Sequence, residues 1–169
     1  IGKYILRETK TRKEYKIALE QNITIEWGKT LNLTIENEKM KGKVKITKIS
    51  EDDNLITGEV AGTPIANVKF EIYDDSGKLV DTLITKTDGI AISKDLVVGK
   101  YIVKEKETGE YYEINENDFE VEITKNGEVV GLTISNKSKT PPPEKPKEET
   151  PKIEVPPIEP IKKLPVTGY

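Results

Sequence analysis

The chain has 169 residues, 34% apolar and 34% charged, with a formal net charge of −3. Charges of both signs are interspersed, which leaves no basic patch for nucleic acid and no polybasic stretch for anionic lipid. There is no cysteine and no histidine, which excludes disulfides and thiolate metal sites and removes the commonest metal ligand and the commonest general base; no metal, no cofactor and no multiple-turnover enzyme site is expected. The chain opens at Ile1, without a signal-peptide pattern or an apolar run long enough for a membrane, and reads as a piece of a longer protein.

In chain order, short apolar alternations dominate. Tyr4-Ile5-Leu6, Ile23-Thr24-Ile25 and Leu31-Asn32-Leu33-Thr34-Ile35 read as strands, with a hairpin turn at Trp27-Gly28-Lys29 that Trp27 covers. So few apolar positions cannot close a core alone, so a missing upstream segment is expected. The next strand is Lys43-Val44-Lys45-Ile46-Thr47-Lys48-Ile49. Val44 and Ile46 share one face, Lys43, Lys45 and Thr47 share the other, and Lys48 falls on the apolar face. A polar, irregular stretch runs from Glu51 to Pro64; then Val68, Phe70 and Ile72 alternate inward before a turn at Asp74-Asp75-Ser76-Gly77. Leu79 to Ile84 is a strand, and Thr87-Asp88-Gly89 turns into Ile90-Ala91-Ile92. Gly99 to Glu105 comes next, and Phe119–Ile123 with Val129–Ile134 predicts a hairpin across Asn126-Gly127. About seven short strands and no convincing helix predict an all-β sandwich.

The sequence repeats itself. Gly2-Lys3-Tyr4-Ile5-Leu6-Arg7-Glu8 mirrors Gly99-Lys100-Tyr101-Ile102-Val103-Lys104-Glu105, and Leu33-Thr34-Ile35-Glu36-Asn37 mirrors Leu132-Thr133-Ile134-Ser135-Asn136. The Glu-to-Asn separation is 29 residues in one copy and 31 in the other. Residues 1–40 therefore read as the C-terminal half of one module and 41–137 as a complete next one. Beyond them, 138–163 is a Pro-rich, polyampholytic spacer, since nine of the ten prolines lie in 141–165. In extended conformations at ~3.1 Å per residue it would reach on the order of 80 Å. The chain closes with Leu164-Pro165-Val166-Thr167-Gly168-Tyr169.

Parity singles out three polar residues. Lys48 extends the stripe of Val44 and Ile46, Glu105 that of Tyr101 and Val103, and Asn136 that of Leu132 and Ile134. Glu8 and Asn37 hold the same places in the partial copy. Buried together, the three could simply satisfy one another by hydrogen bonds. Alternatively, they could form an amide cross-link. Desolvation favours the neutral amine and the protonated acid; the acid would polarise the Asn136 side-chain carbonyl and shuttle protons while the amine attacks and ammonia leaves. The product carries no buried charge and staples the first strand to the last.

KVKITK at 43–48, KFEIYDDSGK at 69–78, KTDG at 86–89, GKYIVKE at 99–105 followed by Tyr111-Tyr112, and LTISN at 132–136 together resemble the collagen-adhesin B-type (SpaA-like, prealbumin-like) repeat domain of Gram-positive surface proteins and pilins. The resemblance implies an Ig-like/prealbumin-like β-sandwich, with Lys48 bonded to Asn136 and Glu105 as the catalyst. It covers 41–137 fully and 2–37 in part. One departure is that the family's glutamate box often continues with Ala-Pro, whereas Lys106-Glu107-Thr108-Gly109-Glu110 has no proline. The lysine partner of Glu8 and Asn37 is expected upstream, which leaves Asn37 an ordinary amide here.

Leu164-Pro165-Val166-Thr167-Gly168 resembles the sortase sorting motif L-P-x-T-G. That implies cleavage between Thr167 and Gly168, covalent transfer of Thr167 to peptidoglycan, and an extracellular, cell-wall-anchored location. The apolar span and basic tail that extend the family's motif are absent, so the signal reads as truncated. Acidic clusters at Glu51-Asp52-Asp53-Asn54 and Asn115-Glu116-Asn117-Asp118 lack calcium-loop spacing and read as solvated turns. The sequence as a whole reads as the structural stalk and wall-anchoring region of a surface adhesin or pilin-like protein. Its expected partners are sortase, peptidoglycan and, through upstream domains, a host matrix ligand. The alternatives are a module that itself binds a host matrix protein and the anchor of an upstream surface enzyme.

Overall fold

Alternation on the scale of two residues builds this protein. The computed structural model describes residues 1–143, and those residues form strands without a helix. The strands are β1 (Gly2–Leu6), β2 (Gln21–Ile25), β3 (Lys41–Ser50), β4 (Lys69–Asp74), β5 (Leu79–Ile84), β6 (Ile90–Ile92), β7 (Leu96–Val97), β8 (Gly99–Glu107), β9 (Asp118–Ile123) and β10 (Val129–Asn136). In β3 every second side chain from Gly42 to Ser50 is buried, as a strand with one face on a core requires.

β3 to β10 make two four-stranded sheets. One runs β10-β3-β6, with β7 also paired to β3; the other runs β5-β4-β8-β9. Val44, Ile46 and Ile134 of the first sheet close on Phe70, Ile72, Val103 and Ile123 of the second, with Val68 beside them. Full burial of side chains of this size stabilises the fold by roughly 1.5–3 kcal/mol each. Where the β9–β10 connection passes under β3, a Cβ on Gly42 would sit 2.5 Å from the Glu128 carbonyl oxygen and 2.6 Å from Ile123 Cγ2, so that crossing needs glycine.

Four expectations need correction. The sandwich has eight strands, because the two-residue β7 pairs with the start of β3; a pair that short has no periodicity to detect. β9 and β10 are not a hairpin: β9 pairs with β8 and β10 lies parallel to β3, in the other sheet. Asn126-Gly127 does make a turn, but its groups bind β3: Gly127 N–H donates to the Lys41 carbonyl, and Asn126 Oδ1 accepts from Lys41 N–H. Residues 31–35 form no strand. In the complete module their counterparts pair with β3, and the described residues supply no equivalent of β3 beside β1 and β2. Trp27 covers nothing and is 85% exposed.

Candidate functional site

Lys48 comes from β3, Glu105 from β8 and Asn136 from the last residue of β10. In the parallel register Lys48 faces Ile134 and Ser50 faces Asn136, so Asn136 lies one pleat beyond Lys48 on the same inner face. The backbone around Lys48 is held on both sides. Its N–H donates to the Gly89 carbonyl at 2.8 Å, and its carbonyl accepts from Ile65 N–H at 3.0 Å. Gly89 has φ +70° and a Cβ added there would collide with the Lys48 carbonyl oxygen, so glycine is required there both for conformation and for space.

An irregularity follows Glu105 in β8. Phe70 pairs with Glu105 but Lys69 pairs with Glu107, which leaves Lys106 as an extra residue in β8. Such a bulge flips the parity of the residues beyond it and re-aims side chains near its site.

Lys48 and Asn136 are essentially sealed, and the Glu105 side chain is fully covered. Lys48 Nζ donates to Asn136 Oδ1 and lies 3.0 Å from Glu105 Oε2. Asn136 Nδ2 donates to Glu105 Oε1 at 2.5 Å and to Thr108 Oγ1 at 2.9 Å. Glu105 Oε2 accepts no well-angled hydrogen bond, so ion proximity to the amine is all that compensates it. Burial pushes the Lys48 amine below its ordinary value, against the raising pull of the Glu105 carboxylate. Burying a charge pair costs several kcal/mol per ion before the mutual attraction repays it. The three predicted residues thus meet in one dry cluster whose amine is biased towards its neutral, nucleophilic form.

The partial copy keeps the geometry. Asn37 Nδ2 donates to Glu8 Oε2 at 2.6 Å, to Thr11 Oγ1 at 3.2 Å and to the Lys16 carbonyl at 2.9 Å. Ala18 N–H also donates to Glu8 Oε2, at 2.6 Å, the same oxygen that accepts from Asn37. The supporting loops match as well. Tyr112 N–H donates to the Gly109 carbonyl and Glu113 N–H to the Lys137 carbonyl; Tyr15 N–H donates to the Arg12 carbonyl and Lys16 N–H to the Glu38 carbonyl. Lys139 N–H to the Tyr111 carbonyl has its equivalent in Met40 N–H to the Glu14 carbonyl. In each copy the loop after the glutamate is laced to the chain just past the asparagine.

Thr108 was not foreseen. The signal was present, because Thr11 succeeds Glu8 at the spacing by which Thr108 succeeds Glu105, but an offset of three does not share a face in a regular strand, and the bulge is invisible in sequence. The first acidic cluster ties its loop to neighbouring chain. Asp52 Oδ1 accepts from the Ser138 N–H and hydroxyl, and Asp53 Oδ1 accepts from Ala61 N–H. Tyr112 is buried and bonds Glu59, while Tyr111 stays at the rim. Leu164, Pro165, Val166, Thr167 and Gly168 lie outside the described residues, as does most of the 138–163 spacer.

Residues 42–138 match the SpaA family model, described as a prealbumin-like fold domain. Over 81 residues, 48% of this chain, the sequence is 33% identical to the trypsin-resistant surface T6 protein of Streptococcus pyogenes serotype M6, covering 15% of that protein. The solved structure of the Bacillus anthracis TIE protein superposes with a TM-score of 0.69 at 31% identity, over 81% of this chain and 25% of that one. The minor pilin GBS52 of Streptococcus agalactiae shares the fold with a TM-score of 0.50 at 22% identity, over 86% of this chain and 63% of its own. The chain therefore spans a quarter or less of the length of the T6 and TIE proteins.

Proposed function

Because the chain belongs to the SpaA prealbumin-like fold domain family, we propose that residues 41–137 are a stalk module of a pilin-like surface protein, closed by a single-turnover amide bond between Lys48 and Asn136. The neutral Lys48 amine attacks Asn136 Cγ. Glu105 stands between nucleophile and leaving group, one carboxyl oxygen at 3.0 Å from Nζ and the other at 2.5 Å from Nδ2. It takes a proton from the attacking nitrogen and delivers one to the departing nitrogen. One C–N bond forms, one breaks, and ammonia leaves; no charge remains on the former lysine. The observation that carries this reading is the burial of all three groups in mutual contact. Satisfying polar atoms alone would not need a buried lysine, which is costly to desolvate.

Residues 1–40 belong on this reading to a preceding module of the same kind, and 138–163 to a spacer. Leu164 to Gly168 carry the sorting signal, through which sortase joins Thr167 to peptidoglycan outside the cell. Intact-mass measurement of the purified chain tests the cross-link. A mass short by one ammonia is expected, and Glu105→Ala should restore the sequence mass. A full sequence mass for the unsubstituted chain would sink the proposal.

A further inference from the structure

The amide of Asn136 has two N–H groups, and both are engaged. One goes to Glu105 Oε1 at 2.5 Å, the proton carrier of the proposed reaction; the other goes to Thr108 Oγ1 at 2.9 Å. We propose that Thr108 is a positioning residue for the cross-linking reaction, holding the Asn136 amide with its carbonyl carbon facing Lys48 and its nitrogen facing away. The inference rests on the proposed Lys48–Asn136 cross-link and adds a role to a residue outside the Lys48–Glu105–Asn136 set.

A primary amide can rotate about Cβ–Cγ and exchange its oxygen and nitrogen. With two acceptors on the nitrogen, that rotation breaks both hydrogen bonds at once; with Glu105 alone, it breaks one. The rotated amide would present its nitrogen to Lys48, an orientation in which the amide itself offers the amine no acceptor and the leaving group is on the wrong side. Fixing a reactive group in its attack geometry is a recognised source of rate. Thr108 is only half-buried, whereas Asn136 is sealed, so its hydroxyl lies on the outward side of the amide, where ammonia departs.

Two features place the hydroxyl there. The bulge at Lys106 turns a residue three positions past Glu105 onto the inner face. The lacing of Tyr112 to Gly109 and of Glu113 to Lys137 then fixes the loop against the end of β10. Thr11 meets Asn37 in the same way in the partial copy, although no lysine amine is among the contacts of Asn37 there. The threonine contact is thus kept as part of a glutamate–threonine–asparagine unit even without the nucleophile.

The test tracks ammonia loss by intact mass in the full chain, sampled during cell-free synthesis, for the unsubstituted protein and for Thr108→Val, Thr108→Ala and Thr108→Ser. Ammonia loss about tenfold slower in Thr108→Val and Thr108→Ala, with Thr108→Ser near the unsubstituted rate, is the expected result. Far-ultraviolet circular dichroism accompanies each variant, and Thr108→Ala decides the outcome should the valine variant not fold. Unslowed loss in Thr108→Val or Thr108→Ala overturns the proposal, as does equal slowing in the serine variant, because a hydroxyl is then not what matters. No ammonia loss from the unsubstituted chain instead overturns the cross-link reading itself, and the two failures are told apart by that control.

Discussion

Lys48 is the largest of the fully buried side chains, and its amine is the group whose protonation the fold resists. Burial lowers its proton affinity, so the neutral fraction grows as pH rises through the lowered value. Ammonia loss should therefore accelerate as pH rises through that lowered value and then level off, measured by quenched intact mass; a rate that falls as pH rises would contradict the amine nucleophile. The same shift sets a stability window in a chain that cannot react. Between the lowered and the ordinary lysine value the unfolded chain binds the extra proton, so stability rises with pH there, and the full cost of the buried ammonium is present below it. Substitutions should separate charge from bond. Glu105→Ala lacks the bond and strands an amine without its partner, a loss of about 3–5 kcal/mol in comparable sites. The double variant Lys48→Met/Glu105→Gln also lacks the bond but buries no charge, so it should unfold at higher urea than Glu105→Ala. Parity made Lys48, Glu105 and Asn136 legible because each lies in an uninterrupted alternation. Thr108 was hidden because a one-residue bulge, a backbone event without a composition signature, moved it onto the same face.

At the scale of elements, local turn chemistry was readable and long-range pairing was not. Asp74 to Gly77 and Thr87 to Gly89 turn where the sequence places turns, with Gly77 at φ +81° and Gly89 at φ +70°. Asn126-Gly127 also turns, yet the strands it joins enter different sheets. A turn signal states that the chain reverses, not that its flanks pair. What decides is which apolar stripes can face each other: Val121 and Ile123 cover the core from beside β8, and Ile134 covers it from beside β3. Gly89 is the element-level support of the site. Gly89→Ala would force a side chain against the Lys48 carbonyl and to 3.0 Å from Pro64 Cβ, at a positive φ that costs of order 1–3 kcal/mol for a residue with a side chain. A lowered urea midpoint and a lower yield of cross-linked chain are expected from it together. An unchanged midpoint would mean that the Thr87–Gly89 turn does not fix β3.

At the scale of the whole molecule, the contacts around Asn37 repeat those around Asn136, and among the described residues only the second set includes a lysine amine. The asparagine of the partial copy meets a glutamate, a threonine and a backbone carbonyl. The chain should therefore lose one ammonia rather than two, and peptide mapping should find Asn37 as an unmodified amide while Lys48 and Asn136 travel in one branched peptide. A bond between residues 88 apart closes a long loop in the unfolded chain. By the chain-entropy treatment of cross-links, that is worth about 4–5 kcal/mol, and the difference should appear in urea unfolding of the cross-linked and uncross-linked forms. The repeat itself could be read from sequence because Glu8 and Asn37 recur with their flanks. The absence of a strand at 31–35 could not, because those residues have β propensity and lack only a neighbour to pair with.

The parallel pairing of β3 with β10, from Lys43 beside Val129 to Ser50 beside Asn136, also has a mechanical consequence. The chain comes into the module at one pole and departs at the other, so a pull on its two ends draws β3 and β10 past each other lengthwise. Their hydrogen bonds then resist together, in shear, instead of parting one at a time as in a peeled hairpin. An amide between Lys48 and Asn136 would sit at the far end of that seam. Force arriving along β3 would cross to β10 there and leave, and everything folded between Ile49 and Ser135 would hang slack beside the taut path. Such a module would transmit tension without lengthening.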